Sequence, residues 1–149
     1  MIYSKPCMHG LRAVLFIATG NSVAPVRGED IAREEDLPQP FLSKILKILA
    51  SRDILQSVRG PGGGFRLARA PEAIALLDIV EAIDGLSQFD ECALGWKTCQ
   101  DDKPCPLHNS WKQMRQGLRE YLAKTTVADL VRHEKGILPP LATANSPLG

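Results

Sequence analysis

Leu37 to Leu67 reads LPQPFLSKILKILASRDILQSVRGPGGGFRL, and the difference between its two halves decides the fold. In the first half Leu42, Ile45, Leu46 and Leu49 recur at i, i+3, i+4 and i+7, which predicts an amphipathic helix over 39–52. The other side of that helix carries Pro40, Ser43, Lys44, Lys47 and Ser51 with the same period. Pro38 disfavours a helical conformation at Leu37, so Asp36-Leu37-Pro38 reads as a turn. In the second half Ile54 to Val58 is short and largely apolar, and Arg59-Gly-Pro-Gly-Gly-Gly64 cannot be helical. Phe65-Arg66-Leu67 then alternates, so two strands around a glycine-rich bend make a hairpin.

Upstream, the pattern predicts a short helix over 28–35 with Ile31 and Ala32 inward, and a helix over 9–19 with Leu11, Val14, Leu15 and Ala18 on one face. Downstream, a helix resumes near Ile74, turns Leu76, Ile79, Val80 and Ile83 inward, and stops at Gly85. Residues 86–106 have no periodicity but hold three of the four cysteines. A long helix begins near Leu107, where Leu107, Trp111, Met114, Leu118 and Tyr121 are spaced 4, 3, 4, 3. That is a heptad seam, and it predicts a dimerisation face. Thr126-Val-Ala-Asp129 reads as a capping box opening one more short helix, with Asp in place of the usual Glu or Gln.

The expected fold is mainly α with a small β-hairpin: a winged helix-turn-helix domain over 1–84, a cysteine-rich loop over 85–106, and a dimerisation helix with a short terminal helix over 107–135. The Pro-rich, uncharged tail over 136–149 reads as disordered.

The chain has 149 residues, which suits one domain with an appended helix. With 44% hydrophobic and 23% charged residues it belongs with globular chains, and with 5% aromatics its core must be aliphatic. The formal net charge of +1 hides an asymmetry: residues 1–70 carry ten basic and six acidic side chains, whereas 71–149 carry eight and eleven. Within 37–70 there are six basic residues (Lys44, Lys47, Arg52, Arg59, Arg66, Arg69) and one acid, Asp53. No apolar run approaches the ~20 residues a bilayer span needs. Lys5 followed by the apolar Ala13–Ala18 stretch hints at a secretory signal, but that stretch is short and no small-x-small cleavage site follows. The expected compartment is the cytoplasm, without a membrane partner.

Two short helices, a three-residue turn and a strand–glycine–strand hairpin are the order of a winged helix-turn-helix, whose second helix enters the major groove. The local excess of positive charge is what phosphate binding requires. On this reading Gln39 and Ser43 meet base edges, and Lys44 and Lys47 contact phosphates or guanine. Arg59 and Arg66 flank a bend where the bare backbone at Gly60 and Gly62 can approach the duplex closely. The bland alternative, a solvated helix face, leaves the hairpin and its charge unexplained. A nucleotide loop is excluded because Gly60-Pro-Gly-Gly-Gly64 lacks Gly-Lys-Ser/Thr and precedes a strand.

Cys92, Cys99 and Cys105 form Cys-x6-Cys-x5-Cys, with Cys7 far upstream. Structural zinc prefers tighter Cys-x2–4-Cys knuckles, whereas wider spacing lets a loop wrap an iron–sulfur cluster. Three thiolates leave one position short, and His108, three residues after Cys105, is one candidate for it; Cys7 and His9 are others. Reduced cysteines near one another by chance, or a metal-free thiol switch, are the competing readings.

Ser57-Val-Arg-Gly-Pro-Gly-Gly-Gly-Phe65, the helix carrying Asp78-Ile-Val-Glu-Ala-Ile-Asp84 and the three-cysteine loop together resemble the bacterial IscR/NsrR/RirA regulators. These are dimeric winged-helix transcription factors of the Rrf type, and the resemblance covers about residues 1–132. It implies that Cys92, Cys99 and Cys105 bind a 2Fe–2S or 4Fe–4S cluster. It also implies that the long helix dimerises and that the N-terminal region of one protomer lies near the other's cluster. His108 matches the histidine that IscR-like members place three residues after the third cysteine. Where NsrR-like members place an N-terminal carboxylate ligand, this chain has Met8. The first cysteine gap is six where five is commoner, and Cys7 has no counterpart.

The function expected is therefore a homodimeric regulator of duplex operator DNA, a repressor or else an activator, whose cluster senses nitric oxide, redox or iron and cluster status. A cluster-free thiol or zinc sensor on the same scaffold is the alternative. A small iron–sulfur electron carrier is a third reading, which leaves the recognition-helix stripe unexplained. No nucleophile–base constellation suggests an enzyme.

Overall fold

Why the first helix starts where it does is decided by Ser4. Its hydroxyl accepts the Cys7 backbone N–H at 3.1 Å, and Pro6 fits the first turn, where no intrahelical donor is needed. In the computed structural model, which describes residues 2–20, 24–97 and 99–134, helix α1 therefore runs Lys5–Thr19, four residues earlier than its apolar pattern suggests. Its buried face is Cys7, Gly10, Ala13, Val14 and Ile17, while Leu11, Leu15 and Ala18 are only half-buried. Gly10 explains the rotation: a Cβ there would collide with Ile83 and press on Ile45, so the helix crosses its neighbours on its smallest residue.

Helices α2 (Gly28–Glu34) and α3 (Gln39–Ser51) form the helix-turn-helix. Asp36 adopts φ 51° after α2, and the Leu37 N–H reaches back to the Ala32 carbonyl at 3.0 Å, ending the helix before Pro38. Glu35, buried in this turn, places Oε2 2.8 Å from Arg12 Nε and 3.9 Å from His9 Nδ1. A paired buried charge thus pins the turn to α1.

Strands β1 (Leu55–Val58) and β2 (Gly64–Leu67) pair antiparallel, with Leu55 opposite Leu67 and Gln56 opposite Arg66. Val26 adds a third rung that the sequence pattern does not signal, exchanging two 2.8 Å backbone hydrogen bonds with Phe65. Gly64 permits it: at φ 148° its α-carbon lies against the Val26 carbonyl, where a side chain would clash.

Helix α4 (Leu76–Asp84) is capped by Asp78, whose carboxylate accepts the Ala75 N–H at 3.0 Å, and ends at Gly85 with φ 75°. Short 3-10 turns at Pro71–Ala73 and Ser87–Phe89 flank it. Helix α5 (His108–Lys124) is long and mostly exposed, burying only His108 and Leu122. Helix α6 (Val127–Glu134) opens on the expected box: Thr126 N–H donates to Asp129 at 2.9 Å, and Asp129 N–H donates to the Thr126 hydroxyl at 3.2 Å.

Two apolar clusters hold these elements. The first joins α1, α2, α3, β1 and α4 through Val14, Ile31, Leu42, Leu49, Leu55 and Ile79, and it also takes in Val127 of α6. The terminal helix, which sequence groups with α5, thus packs into the core of the helix-turn-helix. An Ala75–Thr126 bridge reinforces the return, with Leu76 N–H on Thr125 and Val127 N–H on Ile74, both at 2.9 Å. The second cluster, Cys7, Leu76, Val80, Phe89 and Leu122, seats α5 against α1 and α4. The tail over 136–149 lies outside the described residues.

Candidate nucleic-acid interface and cysteine site

Because Leu42, Ile45, Leu46 and Leu49 are drawn into the core, the opposite side of α3 is left facing solvent. Gln39, Lys44 and Lys47 are exposed there and Ser43 is half-buried. The wing presents Arg59, Gly60, Gly62 and Arg66, all exposed. Gly60 and Gly62 have φ of 91° and 74°, and nothing lies within 4 Å of where a side chain would sit. Arg66 Nε donates to Gln56 Oε1 at 2.8 Å, so a residue directly across the hairpin orients its guanidinium. Gln56 escaped the sequence reading, although the hairpin register places it opposite Arg66.

Arg69 does not belong with these cations. Its Nε donates to the Asp53 carbonyl at 3.1 Å and its Nη1 to the Ala73 carbonyl at 3.0 Å, with Asp78 3.7 Å from Nη2. It ties the base of the wing to the start of α4, because Asp53, at φ 56°, turns its carbonyl toward it.

The cysteine loop folds back onto α5. Trp111 Nε1 donates to the Glu91 carbonyl at 2.9 Å, Arg115 donates to the Phe89 carbonyl, and Cys99 N–H donates to the Asp90 carbonyl at 3.3 Å. These bonds bring together residues distant in sequence. Cys99 Sγ lies 3.1 Å from His108 Nδ1, and His108 Nε2 lies 2.8 Å from Asp101 Oδ1. Lys112 Nζ holds the same Asp101 oxygen at 2.7 Å. The Cys92 and Cys105 thiols lie near enough to influence one another, and the Cys99 thiol also reaches Cys105 electrostatically. Backbone N–H groups of Leu94 and Trp96 draw the Cys92 thiol below the ordinary thiol range, whereas burial pushes Cys105 above it.

Three thiols and one imidazole therefore gather around the start of α5, with Cys99 against His108 and Cys92 and Cys105 near one another. Among the described residues, no three His, Cys, Asp or Glu side chains converge closely enough to hold a single metal ion. A cavity of about 310 Å³ opens beside Cys99 and His108, rimmed by Lys112, Arg115 and Arg119.

Cys7 is not among these groups. It is fully buried in the second apolar cluster, and its thiol is pushed up to about 12 by burial and then by the Asp84 charge. His9 faces Glu35 and the edge of Phe41.

The Rrf2 family profile, described as an iron-dependent transcriptional regulator, matches residues 3–133. The chain belongs to the Rrf2 family. A protein of Aquifex aeolicus named as an HTH-type transcriptional regulator is 33% identical over 144 residues, covering 95% of this chain and 99% of that one. The HTH-type transcriptional regulator IscR of Erwinia tasmaniensis is 28% identical over 127 residues, covering 85% and 76%. The structure of CymR, the global cysteine regulator of B. subtilis, superposes with a TM-score of 0.75 at 24% identity, covering 87% of this chain and 95% of that one. The mainly helical winged fold and the place in a family of transcriptional regulators rather than enzymes follow.

In this Rrf2 regulator the expected dimerisation residues divide. Leu107, Met114 and Tyr121 are exposed, Met114 by 67%. Trp111 and Leu118 are half-buried, and Leu118 also packs on the second cluster. Among the described residues no helix is long and apolar enough to cross a membrane.

Proposed function

We propose that this Rrf2-family regulator acts in the cytoplasm as a homodimeric repressor of duplex operator DNA. In this reading Cys92, Cys99, Cys105 and His108 hold an iron–sulfur cluster whose state sets operator affinity. The observation that carries it is the meeting of Cys99 and His108 at 3.1 Å beside the Cys92–Cys105 pair. Three soft thiolates and an imidazole suit iron–sulfur ligation. The set suits a 2Fe–2S or a 4Fe–4S cluster. When bound, the cluster supplies an iron centre open to nitric oxide, oxidation or loss.

The protein's own residues relay the state of the site. Trp111 and Arg115 fasten the loop carbonyls to α5, so a displaced loop moves the helix. Leu107, Trp111, Met114, Leu118 and Tyr121 on α5 form the seam between protomers, which sets the spacing of the two winged domains on successive half-sites. Gln39 and Ser43 read bases, Lys44 and Lys47 contact phosphate or guanine, and Arg59, Gly60, Gly62 and Arg66 approach the backbone or minor groove.

A second reading is a metal-free thiol sensor, favoured by the nearness of the free Cys92 and Cys105 thiols. Hydrogen peroxide would convert the two thiols to a disulfide, itself reduced to two waters. Anaerobic purification with iron, sulfide and zinc analysis and an absorption spectrum separates the two. Iron and sulfide in equal amounts, with bleaching by nitric oxide, support the cluster. A colourless, iron-free protein that forms a Cys92–Cys105 disulfide with peroxide overturns it.

A further inference from the structure

The acid at position 101 carries no signal in the sequence: it is one of two adjacent aspartates in a polar loop. In the structure it occupies the far side of the His108 ring from Cys99. A carboxylate can only accept a hydrogen bond, so the 2.8 Å contact assigns the imidazole proton to Nε2. In a neutral ring the other nitrogen, Nδ1, is then a bare lone pair, and it lies 3.1 Å from Cys99 Sγ. His108 is only 5% exposed, so most of its ring is shielded from bulk water. Lys112, one turn along α5, binds the same Asp101 oxygen and stops the carboxylate from swinging away.

We propose that Asp101 is a positioning residue, which fixes the His108 ring in the Nε2–H tautomer and turns its Nδ1 lone pair toward Cys99 as a metal-ligating atom. This deepens the cluster reading and rests on it only for the ligating role of Nδ1; the ring's tautomer and direction stand on the hydrogen bonds. A ligating histidine that donates its second N–H to a carboxylate is both oriented and made more basic. The Asp101 side chain is 75% exposed, so its removal leaves the interior packing intact.

Two-bond proton–nitrogen correlation spectra of the full-length, metal-free protein report the tautomer directly. The wild type should show His108 protonated at Nε2 alone. Asp101→Ala should lose that single tautomer, Asp101→Asn should keep it through its amide carbonyl, and Asp102→Ala should match the wild type. A wild-type ring protonated at Nδ1, or an Asp101→Ala spectrum that does not change, overturns the proposal. After anaerobic reconstitution with iron and sulfide, Asp101→Ala should release iron to a chelator roughly 10–100-fold faster than the wild type. Equal release overturns the ligating role. Should the wild type take up no iron while the tautomer results hold, the positioning stands and the cluster reading falls.

Discussion

Asp84, the last residue of α4, accepts hydrogen bonds from both the backbone N–H of Ser4, at 2.8 Å, and its hydroxyl. Ser4 is in turn the cap of α1. The end of the fourth helix thereby fastens the start of the first, and Cys7 is sealed one turn behind the joint.

Ser4→Ala should destabilise the fold by about 1 kcal/mol, the usual worth of a helix cap. Asp84→Ala should cost more, because it strands the Ser4 N–H as well. The double variant should cost less than the sum of the two, since both remove the same joint. Urea midpoints would check this, and strictly additive losses would show the two residues to be uncoupled.

Sealing predicts chemistry at Cys7. With its thiol held near 12, it should resist iodoacetamide at pH 8 in the native metal-free protein, while Cys99, the most accessible of the loop thiols, is alkylated first. Peptide mass spectrometry over time measures the order. Labelling of Cys7 at the loop's rate would place it outside the core, and it should in fact become reactive only with urea.

The basic residues divide by what they touch. Lys47→Ala and Arg59→Ala should each weaken binding to duplex DNA and reduce the salt slope by about 1. Arg69→Ala should leave the slope unchanged and lower the unfolding midpoint instead, because its guanidinium is committed to Asp53 and Ala73. A flattened slope for Arg69→Ala would return it to the interface.

Met114→Glu places a charge on the most exposed apolar residue of α5. Sedimentation should then report a monomer, with loss of operator binding but an intact fold by circular dichroism. A variant that still sediments as a dimer would remove this face from the protomer contact.

Acid should reach α6 through its cap. The Thr126 backbone N–H, and beyond it the Arg132 guanidinium and the Thr126 hydroxyl, hold Asp129 below the usual carboxylate range. Its folded value thus lies under the unfolded one of about 3.9. The stabilisation it gives is present above that unfolded value and is lost as pH falls through the folded one. Wild type should exceed Asp129→Asn in stability by a constant margin at pH 5–7, and the margin should shrink below about pH 4. A margin unchanged down to pH 2 would contradict the assignment.

The helix-turn-helix was legible because its signals are local: the period of Leu42, Ile45, Leu46 and Leu49, the prolines around α3, and the glycines of the wing. Each acts within a few residues of itself. The start of α1 was missed because Ser4 and Pro6 precede the apolar pattern, and its buried face because Gly10 matters only where Ile83 and Ile45 cross it. Val26 pairs with Phe65 across thirty-nine positions of chain, and nothing near Val26 announces it.

The cysteine site divides in the same way. Sequence by itself determined its ingredients: three widely spaced thiols, a histidine three residues beyond them, and a long helix directly after. Only the tertiary structure decided that Cys92 meets Cys105 while Cys99 meets His108, that Asp101 and Lys112 stand behind the ring, and that Cys7 is spent on the core. Spacing limits which groups can reach one another. Which of them do is chosen by the backbone hydrogen bonds that fold residues 86–106 onto α5 and by the burial of Phe89 and Leu122, both set by packing between elements far apart in the chain.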